Sequence, residues 1–322
     1  AQLALGQGSR GFPEDSGWSG NVSAGLTYIS VASNFATDRY GLGDESVDSL
    51  DQQADRNGAF VGFPRIEVNY TFAESGWQLH LGNAALDFYR FDRANVAGVR
   101  KNLDGVGILG IGYVFSALPD YVWEDPYRLA TDREKTRRRS AGGRFTWDYI
   151  GGTPVSFRYT QRQIRIGDDF SGAELGLNPR ELESLQRDGS QRVAEINVFV
   201  PLGRGMALLP ALSYIGNDRD GEAASNQALQ LTIVLRAALS ERLTLLAEVL
   251  GGRLQADEDN PIFSEREENN RYGAALTLRY SQLFGFEPLA LIVRAGSYRE
   301  RSNIDFYSGD IDSIGAFIGY DF

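Results

Sequence analysis

Cysteine is absent from the chain. That rules out disulfides, thiolate nucleophiles and zinc–thiolate sites, and it suits an exported protein that avoids unwanted oxidation. Long apolar runs are missing too. No stretch approaches the roughly 18 residues that a membrane-spanning helix needs, so a helical membrane protein is excluded. A basic excess is also missing: the formal charge of −11 argues against nucleic acid, which requires a basic face. The opening Ala1-Gln2-Leu3 has no basic n-region and no apolar h-region, so an exported chain is expected to be shown here in its mature form.

Alternation is what the sequence does have. From Arg271 to Ser281, Tyr272, Ala274, Leu276, Leu278 and Tyr280 alternate with polar or small residues. Leu229 to Ala237 repeats the pattern, and Arg65 to Phe72 places Arg65, Glu67, Asn69 and Thr71 on one side. At the end, Ala316, Ile318, Tyr320 and Phe322 share one face, with Ser313, Gly315 and Asp321 on the other. A period of two means strands. Collecting such segments predicts about fourteen, an even number as bacterial barrels require. They begin near Trp18, Pro64, Trp77, Ala94, Val106, Ser140, Val155, Arg192, Met206, Gln227, Leu243, Arg271, Leu289 and Ile311.

The links between these strands alternate in length. Short turns fall at Glu74-Ser75-Gly76, Leu103-Asp104-Gly105, Gly151 to Pro154, Leu202 to Gly205, Ser240-Glu241 and Phe284-Gly285-Phe286. Longer polar links fall between Thr37 and Gly58, Leu118 and Arg138, Gly167 and Gln191, Ala256 and Asn270, and Ser302 and Asp310. Short turns on one rim and long loops on the other mark transmembrane barrels. Trp18, Trp77 and Trp147 all fall at the short-turn rim with lipid-facing parity, where an aromatic girdle belongs. With Tyr320 and Phe322 they form the expected interface set. The fold class is therefore an all-β, transmembrane antiparallel barrel over residues 17–322, and residues 1–16 are expected to be a periplasmic tail or a small plug.

In this register the expected pore-lining residues are Arg65, Glu67, His80, Arg100, Arg144, Asp148, Arg158, Arg162, Glu195, Arg236, Glu248, Arg279 and Arg294. Two readings fit them: an arginine ladder selecting small or anionic solutes, or a polar interior satisfied by ion pairs. His80, the one histidine, has no nucleophile motif beside it, and Ser23 and Ser156 are not placed near it by the sequence, so catalysis is not expected. No cofactor or metal is expected either: Gly216 to Glu222 reads as an Asn/Asp/Gly turn rather than a calcium loop. Asn178-Pro179-Arg180-Glu181 predicts a short helix in the loop after Gly167, which either narrows the pore or covers its mouth. Pro119 to Tyr127 is an aromatic and acidic cluster expected to serve in loop packing, with a solute-binding lip as the alternative.

Val122-Trp123-Glu124-Asp125-Pro126-Tyr127, Leu81-Gly82-Asn83, Gly17-Trp18-Ser19-Gly20-Asn21 and Ser30-Val31-Ala32-Ser33-Asn34 resemble a family of gammaproteobacterial outer-membrane proteins of unknown function. The resemblance covers most of the chain. It implies a Gram-negative outer-membrane location and supplies no functional residues. In strand count the chain is similar to the monomeric fourteen-strand porins of the OmpG type. The glycine usual five residues before a terminal aromatic is replaced by Phe317, with Gly315 and Gly319 beside it. Together these point to passive diffusion of small hydrophilic solutes through a monomer. Its partners would be outer-membrane lipid or lipopolysaccharide, the solute, and the assembly machinery that reads the last strand. A FadL-like transporter of hydrophobic substrates and a non-conducting structural or adhesive barrel are the alternatives.

Overall fold

The computed structural model describes residues 12–37, 41–62, 64–87, 92–116 and 120–322. Most of the expected N-terminal tail or plug therefore lies outside the described residues. Fourteen strands form one closed antiparallel barrel. The first seven are β1 (Gly17–Ala32), β2 (Asn57–Gly62 and Arg65–Phe72), β3 (Trp77–Asp87), β4 (Asp92–Leu103), β5 (Gly107–Phe115 and Asp120–Trp123), β6 (Lys135–Asp148) and β7 (Val155–Ile166). The others are β8 (Gly189–Val198 and Val200–Gly203), β9 (Met206–Arg219), β10 (Asn226–Ala238), β11 (Leu243–Asn260), β12 (Glu265–Ser281), β13 (Leu289–Ser302) and β14 (Gly309–Asp321).

Each strand pairs with its chain neighbours, and β14 closes on β1 from Asn21↔Asp321 to Ala32↔Asp310. At the seam's end Gly20 N donates to Phe322 O at 2.8 Å and Phe322 N to Gly20 O at 3.1 Å. Closure leaves no sheet edge, which is the condition for a sheet to cross hydrocarbon. The side chains are sorted accordingly. Leu26, Ile111, Leu229, Leu231, Val249, Leu276, Ile314 and Ile318 are exposed on the outer face. Ser23, Asn69, Thr71, Gln78, Thr160, Gln191, Thr232 and Thr277 are buried within. A soluble protein would have the reverse arrangement.

All fourteen strands fall where alternation predicts them, but several run further toward the long-loop rim. The expected link from Ala256 to Asn270 is mostly strand: β11 continues to Asn260 and β12 begins at Glu265. Likewise β6 starts at Lys135 and β2 at Asn57. These extensions stand above the lipid belt, where both faces tolerate charge, so the polar–apolar signal fades while the backbone pairing continues.

At the short-turn rim Trp18 is exposed and meets Tyr70 edge-on at 5.0 Å, and Trp77 is exposed next to Phe72 in register. Trp147 donates its indole N–H to Val106 O at 2.9 Å. Tyr320 and Phe322 stack outward with centroids 6.2 Å apart. Amphipathic rings with one polar bond belong at this boundary.

Candidate functional site

The inward faces of β2 to β9 surround a cavity of about 260 Å³ lined by Arg65, Glu67, His80, Arg100, Arg144, Asp148, Arg158 and Glu195. It lies toward the short-turn rim, with Tyr149, Pro154 and Phe199 at its lower edge. Strand alternation brings these residues together, because each occupies an inward position. Glycine keeps the space open: a Cβ at Gly110 would lie 2.4 Å from Thr146 Oγ1 and 3.0 Å from Arg100 Cγ. Gly112 pairs directly with Arg144 across the β5–β6 ladder, so no side chain stands opposite Arg144 on that strand.

Most of the lining charges are paired. Arg158 Nη1 meets Glu195 Oε1 at 3.2 Å, Arg100 Nη2 meets Asp148 Oδ2 at 3.4 Å, and Arg65 Nη2 meets Glu67 Oε2 at 3.8 Å. Arg144 differs. Its Nε donates to Thr160 Oγ1 at 2.9 Å, and among the described residues no carboxylate lies within ion-pair distance. The cavity therefore holds four cations against three anions. His80 Nδ1 is 2.8 Å from Asn69 Oδ1. Ser23 is buried in the β1 wall, and Ser156 Oγ accepts from Tyr149 N at 3.4 Å. No serine is bonded to the imidazole among the described residues, and the geometry assembles no base–nucleophile pair.

The opposite end is filled. Ala36 and Leu42 of the first long loop pack against Ile29, Val31, Val61 and Ile311, inward residues of β1, β2 and β14. Above them Val47, Tyr127, Ile304, Phe306 and Tyr307 form a second cluster, joined by Phe35, Phe263 and Leu175. It draws on loops from right round the mouth. Trp123, 1 % exposed, donates its indole N–H to Ala36 O at 2.9 Å and lies 4.3 Å beneath Arg133. Arg133 in turn donates to Asn34 O at 2.8 Å and to Asp44 O at 2.6 Å. Burial lowers its pKa to about 10, still charged at neutral pH. The aromatic cluster thus serves in packing.

The helix α1 (Pro179–Ser184) has the expected Asn178 cap and a reciprocal bond from Glu181. Its C-cap, Leu185, is buried over the mouth, where a Cβ on Gly172 would meet Leu185 and Ile262. Arg187 ties this loop down through Asp169 at 2.8 Å and the carbonyls of Trp123 and Glu124. Asp125, buried beneath it, accepts from Tyr127 N at 2.9 Å and Gly172 N at 3.0 Å. Burial outweighs those two donors and pushes its pKa up. A carboxyl with a raised folded-state pKa stabilises its surroundings when protonated, and that stability is lost as pH rises through the raised value. Loop closure is expected to be tightest in acid. Single-channel records taken from about pH 4 to about pH 7 should show open probability rising with pH, and Asp125→Asn should flatten the curve. A wild-type curve that is flat or falls with pH counts against this role for Asp125.

The family described as "Protein of unknown function (DUF2860)" matches residues 17–321, all but the last residue of the barrel span. The chain belongs to this family. No curated protein matches it. Among solved structures the DUF2860 barrel is similar to the outer-membrane channel DcaP of Acinetobacter baumannii, at 10% identity and a TM-score of 0.47, covering 96% of this chain and 97% of that one. It is also similar to a Pseudomonas aeruginosa FadL homologue, at 11% identity and a TM-score of 0.46, covering 98% and 95%. A third is a loop-deletion mutant of OmpT from Vibrio cholerae, at 11% identity and a TM-score of 0.45, covering 95% and 100%. Identities this low say nothing of what the barrel carries.

The remaining expected lining residues of the DUF2860 barrel lie outside the cavity. Arg162 is buried in the wall, donating to Gln191 Oε1 at 2.7 Å and Ser140 Oγ at 2.8 Å. Glu248 accepts from Tyr298 Oη at 3.0 Å and Arg294 Nη2 at 3.5 Å. Arg279 pairs with Asp321 near the seam, and Arg236 sits on the inward face opposite Ala207 and Leu246. The expected lining set also omitted the buried group Arg271, Glu300, Asn269 and Glu267 in the upper wall: Asn269 and Glu267 fell in a stretch read as loop, while Arg271 and Glu300 lay in expected strands without being singled out.

Proposed function

We propose that the protein is an outer-membrane channel for small hydrophilic solutes, selective for anions, and held closed at rest by its long loops. The observation that carries the reading is Arg144, a lumen cation whose bonded partner is a hydroxyl while the arginines around it have carboxylates. A lone charge lining the bore biases selectivity, whereas neutralised pairs contribute little net field. The polar bore, apolar belt and alternating link lengths are those of outer-membrane barrels, in which short turns face the periplasm and long loops the exterior. That orientation makes the charged cavity a periplasmic vestibule. In this reading the chain acts as a monomer, without cofactor or catalysis, and enters the membrane through its terminal strand.

The test is conductance in a planar bilayer under a salt gradient, using protein whose first loop has been shortened to raise the current. The reversal potential should show anion preference. Arg144→Glu should turn it toward cations, while Arg253→Gln, on the outer face and paired with Glu268, should leave it close to wild type. Selectivity that ignores Arg144 would sink the anion reading. A silent bilayer together with tight fatty-acid binding would favour a hydrophobic-substrate transporter instead.

A further inference from the structure

The outer face of the barrel carries two clusters of arginines that the chain treats differently. Around the β1–β14 seam, Arg56, Arg299 and Arg301 stand with Asp310 and Asp312. Arg56 reaches Asp312 at 2.6 Å and Asp310 at 2.9 Å, Arg299 reaches Asp312 at 2.9 Å, and Arg301 reaches Asp310 at 2.5 Å. On β6 and β7 the outward positions Arg137, Arg139 and Arg165 are all exposed, and among the described residues no carboxylate pairs with them. Arg139 and Arg165 are direct cross-strand partners.

Like charges placed opposite each other on a sheet destabilise it, and this chain has acid to spare at −11. The seam shows the same barrel neutralising such a cluster. At β6–β7 the cations are instead left to an outside anion. Their height identifies it. Below Arg139 on the same face of β6 come Ala141, Gly143, Phe145 and finally Trp147 at the opposite rim. Eight residue steps are about 26 Å along the strand and rise about 20 Å at the usual tilt, most of the roughly 25 Å apolar band of such barrels. The patch therefore lies level with the headgroups of the long-loop leaflet. Exposed Gln161 and Gln163 on β7 add amide donors just beneath it.

We infer that Arg137, Arg139 and Arg165 form a binding site for the phosphoryl headgroup of a glycolipid in the surrounding leaflet, with one phosphate bridged by the Arg139–Arg165 pair. Guanidinium forks match phosphate oxygens two at a time, and a bridging phosphate turns the cross-strand repulsion into attraction. The site rests on the lipid-facing orientation of β6 and β7 and is independent of conduction.

The test uses the folded full chain in non-ionic detergent and diphosphoryl lipid A as probe, read by native mass spectrometry and by thermophoresis. Wild type should retain the lipid, and chemically dephosphorylated lipid A should bind at least about tenfold more weakly, the scale of one lost charge-assisted contact. Arg139→Gln with Arg165→Gln should lose affinity by about as much, while Arg253→Gln, exposed on the far side and paired with Glu268, should not. Heat-modifiable migration on gels checks that each variant is folded, and the two-lipid comparison needs no variant at all. Equal binding of both lipids, or an unchanged double variant, would overturn the site. So would displacement by inorganic phosphate as effective as by lipid A, since the patch would then be a site for the free ion.

Discussion

Replacing residues 34–55 with a turn of about four residues is expected to open the barrel and raise its single-channel conductance several-fold. The strands flanking that loop need no help to stay paired, since β1 and β2 are in register from Leu26↔Gly62 to Val31↔Asn57, and hairpin turns of two to five residues close such pairs routinely. The excision removes Ala36 and Leu42 from the bore. It also removes Val47, whose carbonyl accepts from Ala130 N at 2.9 Å, and Glu45, whose carbonyl accepts from Arg133 N at 2.7 Å. Trp123 loses its acceptor and Arg133 loses three, two from its guanidinium and one from its backbone N–H, so the loop after β5 is released along with the first. Buried donors stripped of partners cost about 1–3 kcal/mol each, enough to favour the unpacked arrangement. Planar-bilayer recording checks this directly. Conductance equal to wild type would mean that the bore is blocked lower down, and the reading of the first loop as the closure would be abandoned.

How much of this was legible beforehand depends on which signal carried it. Inside the lipid belt the two faces of each strand meet different solvents, so Leu229 to Ala237 and Arg271 to Ser281 announce both strand and orientation. Above the belt the outer solvent is water, and Arg253 with Glu268 and Arg266 with Asp259 pair across β11 and β12 without an apolar partner face to mark them. The vestibule residues were legible as inward positions, because parity is conserved along an unbroken strand. Their pairing was not. Which arginine lacks a carboxylate depends on the register between strands, and Arg144 reads no differently from Arg158 along the chain. The loop closure was hidden for another reason: Phe35, Phe263 and Phe306 come from three loops far apart in sequence and meet only because the barrel gathers them at one mouth.

The buried Arg271–Glu300 pair yields the largest stability effect. Arg271 Nε lies 2.9 Å from Glu300 Oε1, and the two side chains are 1% and 3% exposed. Asn269 Nδ2 also donates to Glu300 at 2.7 Å and to Glu267 at 2.6 Å. Removing Glu300 takes a carboxylate away from the buried Arg271, and breaking a buried pair in this way costs about 3–5 kcal/mol. Glu300→Ala is therefore expected to destabilise the barrel by about that amount, read as a shift in the urea midpoint for unfolding from lipid vesicles. Replacing both partners with apolar residues, Arg271→Met with Glu300→Leu, should recover most of the loss, because neither charge then remains to be solvated. The contrast between single and double variants is the decisive measurement. Equal destabilisation in both would assign the effect to packing volume in the upper wall. Recovery in the double variant would locate it in the charge, and would mean that the barrel keeps this pair for the register of β12 against β13 (Arg271↔Glu300) more than for net stability.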